Sequence, residues 1–190
     1  VQVGSNATLE NCEIKVTKIR TGAGTHLNCA VAVQNDGTAT VKSGIYTAPY
    51  AAYVYNSGGT INIENGTFTG VVRADATTGT TAVINIKNGS FNGEIQKGGG
   101  PGSETIAISG GTFSSAVPEN CCAPGFEPTQ NGNTYGVKIK ANMVAEVLDA
   151  QGNTVGAYGK LADAINAASN GDTVTLLKDV TENVTIPANK

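Results

Sequence analysis

The chain has 190 residues, a formal net charge of −3 and a charged fraction of 14%, and it is rich in glycine and threonine but poor in helix formers. The charged fraction is low for a globular domain, where about a quarter is usual. The slight excess of acids argues against a nucleic-acid partner, which requires a basic surface. No stretch approaches the roughly 18 apolar residues of a transmembrane helix, so the sequence predicts no transmembrane segment.

Residues 1–20 predict a degenerate first unit of a repeat. The hexad Leu-Glu-Asn-Cys-Glu-Ile at 9–14 aligns with a motif that recurs downstream, with Cys12 in place of a glycine and Ile14 in place of an aromatic residue. The next copy follows after a longer interval than the later copies do. A loop around residues 21–27 accounts for the excess.

One six-residue motif then occurs four times. It reads Val-Lys-Ser-Gly-Ile-Tyr at 41–46, Ile-Glu-Asn-Gly-Thr-Phe at 63–68, Ile-Lys-Asn-Gly-Ser-Phe at 86–91 and Ile-Ser-Gly-Gly-Thr-Phe at 108–113. The closing aromatic residues Tyr46, Phe68, Phe91 and Phe113 are 22, 23 and 22 positions apart. A fixed period in this range is typical of a solenoid.

Each copy has the features of one turn of a parallel β-helix. Apolar and polar residues alternate before each glycine turn, which predicts strands with one buried face. A unit of this length holds three short strands, and successive units stack at the strand spacing of about 4.8 Å. We predict that Ile63, Ile86 and Ile108 form one interior column and the aromatic residues a second. We also predict that the turn amides of Asn65 and Asn88 bond to each other along the stack.

The repeat ends after the fourth copy, so residues 1–113 are the predicted β-helix. Before its end, the run Gly-Gly-Gly-Pro-Gly at 98–102 predicts a flexible loop by composition. We predict that residues 114–140 form a cap over the open end of the coil, with a hairpin turned by Asn131 and Gly132.

Residues 141–190 predict a small α/β segment. Apolar residues at i, i+3, i+4 and i+7 indicate a short amphipathic helix over residues 160–169. The predicted strands of this segment are residues 144–148, 172–177 and 183–186.

The four cysteines allow three disulfide pairings, and the sequence does not choose among them. In a secreted protein a disulfide between Cys12 and Cys29 is plausible; the alternative is that all four, with Cys121 and Cys122, are reduced and fill small interior positions. A zinc site is not expected, because the spacing is wrong and the single histidine, His26, lies in a loop rich in glycine and threonine.

The charged residues give no catalytic arrangement. Glycoside hydrolysis requires two carboxylates on one face, whereas the acids here are dispersed along the chain. Glu64 is expected on the outside, in a row of mixed charge between Lys42 and Lys87. The two arginines, Arg20 and Arg73, have no evident partners in the sequence.

Four tyrosines are crowded into ten residues. Tyr46 belongs to the predicted aromatic column. Tyr53 and Tyr55 share one face of a strand, and Tyr50 is expected in a loop. If Tyr50, Tyr53 and Tyr55 are exposed, their rings could stack on sugars; the alternative is that they lie in the core or at its rim.

The repeated hexads and the sequence of residues 161–177 resemble large β-helix surface proteins of Gram-positive gut bacteria, whose fold is similar to the right-handed, pectate-lyase-like β-helix. The resemblance implies a secreted, multi-domain protein attached to the cell wall through regions absent from this chain. Residues 141–190 would then begin a following β-helix unit. The chain begins at Val1 and contains one methionine, Met143, so we expect part of a longer chain. The resemblance brings no catalytic residues.

The predicted fold is therefore all-β: a right-handed parallel β-helix of about 22-residue rungs, with a hairpin cap and a small C-terminal α/β segment. The predicted function is non-enzymatic, that of an extracellular stalk or adhesin without a cofactor. Its expected partners are host or dietary glycans or surface proteins, with Tyr50, Tyr53 and Tyr55 as the glycan contacts. The alternative is a carbohydrate-active module similar to a polysaccharide lyase or glycoside hydrolase.

Overall fold

The computed structural model describes residues 1–17 and 28–188, and within these it omits the side chains of Gln2 and Val3. The chain forms a parallel β-solenoid of about four turns at a spacing of about 22 residues, as the repeat predicts. The predicted loop around residues 21–27, with His26, lies outside the described residues, and so does Arg20.

Within the described residues, thirteen short strands build the solenoid, and successive rungs pair in parallel. In chain order they are β1 (Gln2–Val3), β2 (Asn6–Leu9), β3 (Cys12–Lys15), β4 (Cys29–Val33), β5 (Gly37–Val41), β6 (Gly44–Val54), β7 (Gly59–Ile63), β8 (Thr67–Ala74), β9 (Thr81–Ile86), β10 (Ser90–Asn92), β11 (Ile95–Lys97), β12 (Ser103–Ile108) and β13 (Thr112–Phe113).

The strands lie on three sides of the coil. The isoleucine sheet consists of one strand from each rung, in the order β12-β9-β7-β5-β2. The other two sides belong to one bent sheet, because β6 and β8 run through the corner between them. The first part of β6 pairs with β3 and its last part pairs with β4. The first part of β8 likewise pairs with β10 and its last part with β11. We call the two sides of this sheet the aromatic half and the tyrosine half.

The interior contains the two predicted columns. Ile63, Ile86 and Ile108 lie opposite one another in register and are fully buried. In the aromatic column the ring centroids of successive residues are 4.8, 5.0 and 4.8 Å apart, and the ring planes lie within 15° of parallel. This spacing equals the distance between neighbouring strands. The register of the sheets therefore places each ring directly over the next. The rings are those of Tyr46, Phe68, Phe91 and Phe113.

The predicted ladder of turn amides is wrong. The side-chain oxygens of Asn65 and Asn88 each accept a hydrogen bond from the next backbone N–H in their own turn, at 2.9 and 2.8 Å. This local bond satisfies the amide without a neighbour in the next rung. An amide ladder does form on the outer side of the isoleucine sheet, where Asn85 Nδ2 donates to Asn62 Oδ1 at 2.8 Å.

The hairpin cap is present. Strands β14 (Phe126–Asn131) and β15 (Thr134–Ile139) are antiparallel, and β15 pairs with the last solenoid strand, β13, through Tyr135 opposite Phe113. A 3₁₀ turn at Glu119–Cys121 precedes the hairpin. The cap therefore covers the end of the aromatic column.

The C-terminal unit is an antiparallel sheet with one helix. Its strands are β16 (Ala145–Leu148), β17 (Thr154–Tyr158) and β18 (Thr173–Leu176), with β16 in the middle, and its helix is α1 (Leu161–Ala167). That this unit begins a following β-helix stays a prediction.

The strand predicted at residues 183–186 does not form. A strand requires a neighbour for its backbone groups, and the free edge of β18 does not pair with this segment. Glu182, which directly precedes residues 183–186, contacts the helix instead. Its carboxylate accepts a hydrogen bond from the backbone N–H of Leu161 at 3.0 Å and so provides a partner for the first N–H group of α1.

The C-terminal unit lies against the outer side of the isoleucine sheet. Lys87, which directly follows β9, forms an ion pair with Asp149. Burial opposes the ionisation of Asp149, but hydrogen bonds from Lys87 and Asn153 outweigh it and lower its pKa to about 2. The C-terminal unit also contacts the cap, where the N–H of Ala157 donates to the carbonyl of Pro124 at 2.9 Å.

Candidate functional site

The three candidate tyrosines come together on the outer side of the tyrosine half. Tyr50 and Tyr53 are stacked, with ring centroids 5.1 Å apart and an angle of 22° between the planes. Tyr55 meets Tyr53 edge to face at 5.6 Å. Tyr53 is only 5% exposed, whereas Tyr50 and Tyr55 are half-buried. The expected loop position of Tyr50 is wrong, because it lies within β6.

Alternation along β6 explains why these rings face outwards. Ala52 and Val54 point into the coil and are fully buried. Tyr53 and Tyr55, which alternate with them, point to the other side. The buried state of Tyr53 therefore comes from its neighbours on the surface and not from the solenoid core, which does not include it.

A charged pair on the next rung supports the tyrosines. Arg73 Nε lies 3.0 Å from both carboxylate oxygens of Asp75, and Arg73 Nη1 donates to Gln96 at 3.3 Å. The hydroxyl of Tyr53 donates to Asp75 Oδ2. We define Tyr50, Tyr53, Tyr55, Arg73, Asp75 and Gln96 as the tyrosine surface.

The expectation that Arg73 lacks partners is therefore wrong. A signal existed in the sequence, because Arg73 and Asp75 are two residues apart and so share one face of a strand. The register that brings Tyr53 opposite Arg73, and Arg73 opposite Gln96, depends on the stacking of three rungs.

The protonation states make the tyrosine surface close to neutral. Burial, together with the hydrogen bond to Asp75 and the negative charge of that residue, raises the pKa of Tyr53. The hydrogen bond to Asp75 raises the pKa of Arg73. At neutral pH the phenol is therefore uncharged, and the guanidinium is charged and balanced by its carboxylate.

The glycine-rich segment at 98–102 supports the same surface. A Cβ atom on Gly98 would lie 1.3 Å from Asp75 Oδ1, so only glycine leaves room for this carboxylate. The next two residues, Gly99 and Gly100, donate their backbone N–H groups to Glu104 at 2.8 and 3.0 Å, and Ala76 donates a third at 3.0 Å. The segment predicted as a flexible loop is thus wrapped around a carboxylate.

Asp75 and Glu104, the two carboxylates held by this part of the chain, have structural partners. Asp75 accepts from Arg73 and Tyr53, and Glu104 accepts from three backbone N–H groups. Within residues 1–17 and 28–188, no group of three or more His, Cys, Asp or Glu side chains could hold a metal ion.

The suggested disulfide between Cys12 and Cys29 is not formed, and each residue carries a thiol. The two lie opposite Gly44 and Tyr50, six residues apart on the same strand, β6. Six extended residues span about 20 Å, and a right-angled bend midway still leaves about 14 Å. A disulfide requires Cα atoms within about 7 Å.

The cysteines instead occupy packed positions, the alternative left open by the sequence. Cys12 Sγ lies 3.2 Å from the hydroxyl of Tyr46, the first ring of the aromatic column. Burial raises the pKa of Cys29 to about 12, in spite of the nearby N-terminal ammonium group. Burial also raises the pKa of Cys121 and of Cys122.

Comparison with protein-family models, with curated proteins and with solved structures finds no match for this chain. The chain is therefore identified by its architecture, as a β-solenoid, and the resemblance to surface proteins of gut bacteria stays a prediction. In the part of the chain that the structure describes, no helix has the length and apolar character needed to cross a membrane.

Proposed function

We propose that this chain is a non-enzymatic segment of an extracellular surface protein, where it serves as a stalk or adhesin and contacts glycans through the tyrosine surface. The observation that supports the proposal is the assembly of the three tyrosines on one outer face of the coil, two of them half-exposed.

The chemistry of this surface suits a sugar. Aromatic rings offer an apolar face and, in tyrosine, a polar hydroxyl, which matches the apolar and hydroxylated sides of a sugar ring. Because Arg73 and Asp75 balance each other's charge and the exposed carboxylate of Glu94 lies beside Gln96, the surface favours a neutral glycan over an anionic one. Stacked rungs beneath the rings hold them in fixed register, so no ordering of a loop opposes binding.

The extracellular location and the attachment to a cell wall are part of the same proposal. They rest on the resemblance in sequence and on the repeated architecture, which suits a spacer because each added rung lengthens the coil. The lyase or hydrolase alternative has no comparable support in the described residues, where Asp75 and Glu104 are engaged by internal donors.

A glycan array tests the proposal. We expect the wild-type chain to bind a subset of neutral glycans and the double variant Tyr50→Ala, Tyr55→Ala to lose that signal. The matched control is Ile45→Ala, which removes another exposed apolar side chain, 49% exposed, from the same strand. Equal binding by the double variant would refute the tyrosine surface as the contact. If the wild-type chain binds no glycan, the glycan-binding role is refuted and only the spacer role remains.

A further inference from the structure

A second candidate site lies on another side of the solenoid, where the C-terminal unit meets the isoleucine sheet. Outward-facing residues of β7, β9 and β12 form one wall of a cleft, and β17 supplies the other. The cleft has a volume of about 300 Å³. Small-molecule sites begin at roughly this size, and a single sugar ring fits within it.

The polar wall of the cleft is the amide ladder. Asn62 and Asn85 lie opposite each other in register, and one hydrogen bond of 2.8 Å joins them. A side-chain amide has two N–H donors and an oxygen with two lone pairs. The ladder therefore uses one donor of Asn85 and one lone pair of Asn62. Among the described residues, the two N–H donors of Asn62 and the carbonyl oxygen of Asn85 have no other hydrogen-bond partner, so they are available to a ligand.

The apolar wall lies beside the amides. In the outward row of the sheet, the position after Asn85 is Ala107. The cap adds Ala123 to this apolar surface, and β17 adds Val155. Two amides next to a small apolar floor match a ring with adjacent hydroxyls on one side and C–H groups on the other.

The charges at the cleft select against ions. Lys87 lines the cleft and is paired with Asp149, and the side chains are only 19% and 12% exposed. An anionic ligand that approached Lys87 would also meet the carboxylate of Asp149, and a cation would meet the ammonium group. The site therefore favours an uncharged ligand.

We propose that this cleft binds a neutral sugar ring, with the amides of Asn62 and Asn85 bonded to adjacent hydroxyl groups and with Ala107 and Val155 packed against its apolar side. The walls belong to two units of the chain, so the ligand bridges them. A bound sugar then stabilises the attachment of the C-terminal unit to the solenoid by mass action. This site is separate from the tyrosine surface and does not depend on it.

The test is an NMR titration of the ¹⁵N-labelled chain with glucose, galactose and mannose. We expect saturable shifts in the side-chain amide signals of Asn62 and Asn85 with at least one of these sugars. Asn62→Ala and Asn85→Ala should each weaken binding about tenfold, the effect of losing one or two hydrogen bonds to a ligand. Thr8→Ala changes the same outward row at its far end and should leave binding unchanged.

Further variants separate this proposal from the first and guard against misfolding. Tyr55→Ala should leave the sugar affinity of the cleft unchanged. Loss of binding in this variant would show that the sugar binds at the tyrosine surface and not in the cleft. Ala107→Leu fills the cleft without altering either amide, and it should also weaken binding. If the asparagine variants do not fold, this variant decides the question.

Any one of three results would overturn the proposal. The first is the absence of saturable shifts with all three sugars, and the second is an undiminished affinity in Ala107→Leu or in the folded asparagine variants. The third is tighter binding of glucuronate than of the neutral sugars. Protection of the C-terminal unit from proteolysis by the bound sugar would support the bridging role, and unchanged cleavage by saturating sugar would contradict it.

Discussion

Replacing Phe68 with alanine tests the central feature of the fold, the aromatic column. Phe68 is fully buried and lies between two other rings, with centroids 4.8 Å from Tyr46 and 5.0 Å from Phe91. Truncation of a buried phenylalanine to alanine costs about 3–5 kcal/mol. Each aromatic pair contributes about 0.5–1.5 kcal/mol beyond its buried area. Because this variant loses two pairs, we expect a cost in the upper part of the range, about 4–5 kcal/mol.

Two companion variants separate the contributions. Phe68→Leu keeps most of the buried volume but removes both ring contacts, so it should cost about 1–3 kcal/mol. Ile45→Ala shortens a side chain that is 49% exposed on the same strand that carries Tyr46. Since only half of that apolar surface is buried, the expected cost is about 1 kcal/mol.

The assay is urea unfolding followed by far-UV circular dichroism, with the midpoint and slope fitted for each variant. A domain is stable by about 5–15 kcal/mol, so Phe68→Ala should shift the midpoint strongly or prevent folding. The reasoning is refuted if Phe68→Ala costs no more than Ile45→Ala, because the ring would then not be part of a packed column.

Three further predictions follow from contacts outside the column. The pKa of Asp149 is lowered from 3.8 to about 2 by hydrogen bonds from Lys87 and Asn153, so the ionised carboxylate with these partners stabilises the fold by about 2 kcal/mol above pH 4. That stability is lost as the pH falls towards 2. Urea midpoints measured at each pH should show the loss in the wild type and not in Asp149→Asn. The same dependence of the midpoint on pH in both proteins would contradict the prediction. Gly98→Ala places a methyl group 1.3 Å from the present position of an Asp75 oxygen, so it should cost roughly 1–3 kcal/mol in thermal unfolding; an unchanged Tm would show that Asp75 moves away freely. Cys29 is half-buried, and burial raises its pKa to about 12, so iodoacetamide at about pH 8 should modify it slowly until the chain is denatured; peptide mapping that finds rapid labelling of the native chain would refute the raised pKa.

The sequence was sufficient for the stacked interior because each position there repeats. Phe68 and Phe91 occur at equivalent places in similar copies of the motif, so one period determines both register and burial. The same argument failed for Asn65 and Asn88. Their repetition is equally regular, but a turn amide is satisfied by its own backbone, so periodicity alone does not show that two side chains touch.

Contacts between units could not be read from the repeat. The repeat places Lys87 in the same outward row as Glu64, but it does not reveal that Lys87 pairs with Asp149, 62 residues later, because the C-terminal unit packs against the isoleucine sheet. In the tyrosine surface, the pairing of Arg73 with Asp75 had a local signal. The approach of Tyr53 to the same carboxylate required knowledge of which residues face each other across rungs.

The cysteine pairing failed for a geometric reason. Cys12 and Cys29 both border β6, but Cys12 lies opposite Gly44 at its start and Cys29 opposite Tyr50 in its middle, with the corner of the coil between them. Sequence separation gave no indication of this corner. The corner lies between the part of β6 that pairs with β3 and the part that pairs with β4.

The aromatic column from Tyr46 to Phe113 also has a consequence for how such a protein can change in length. Each ring meets an almost identical surface above and below, so an in-frame duplication of one block, such as the residues between Phe68 and Phe91, creates no unfamiliar junction. Every duplication would extend the reach of the molecule by one increment of about 4.8 Å. A protein that carries a contact surface away from its point of attachment could thus have its reach adjusted in uniform steps.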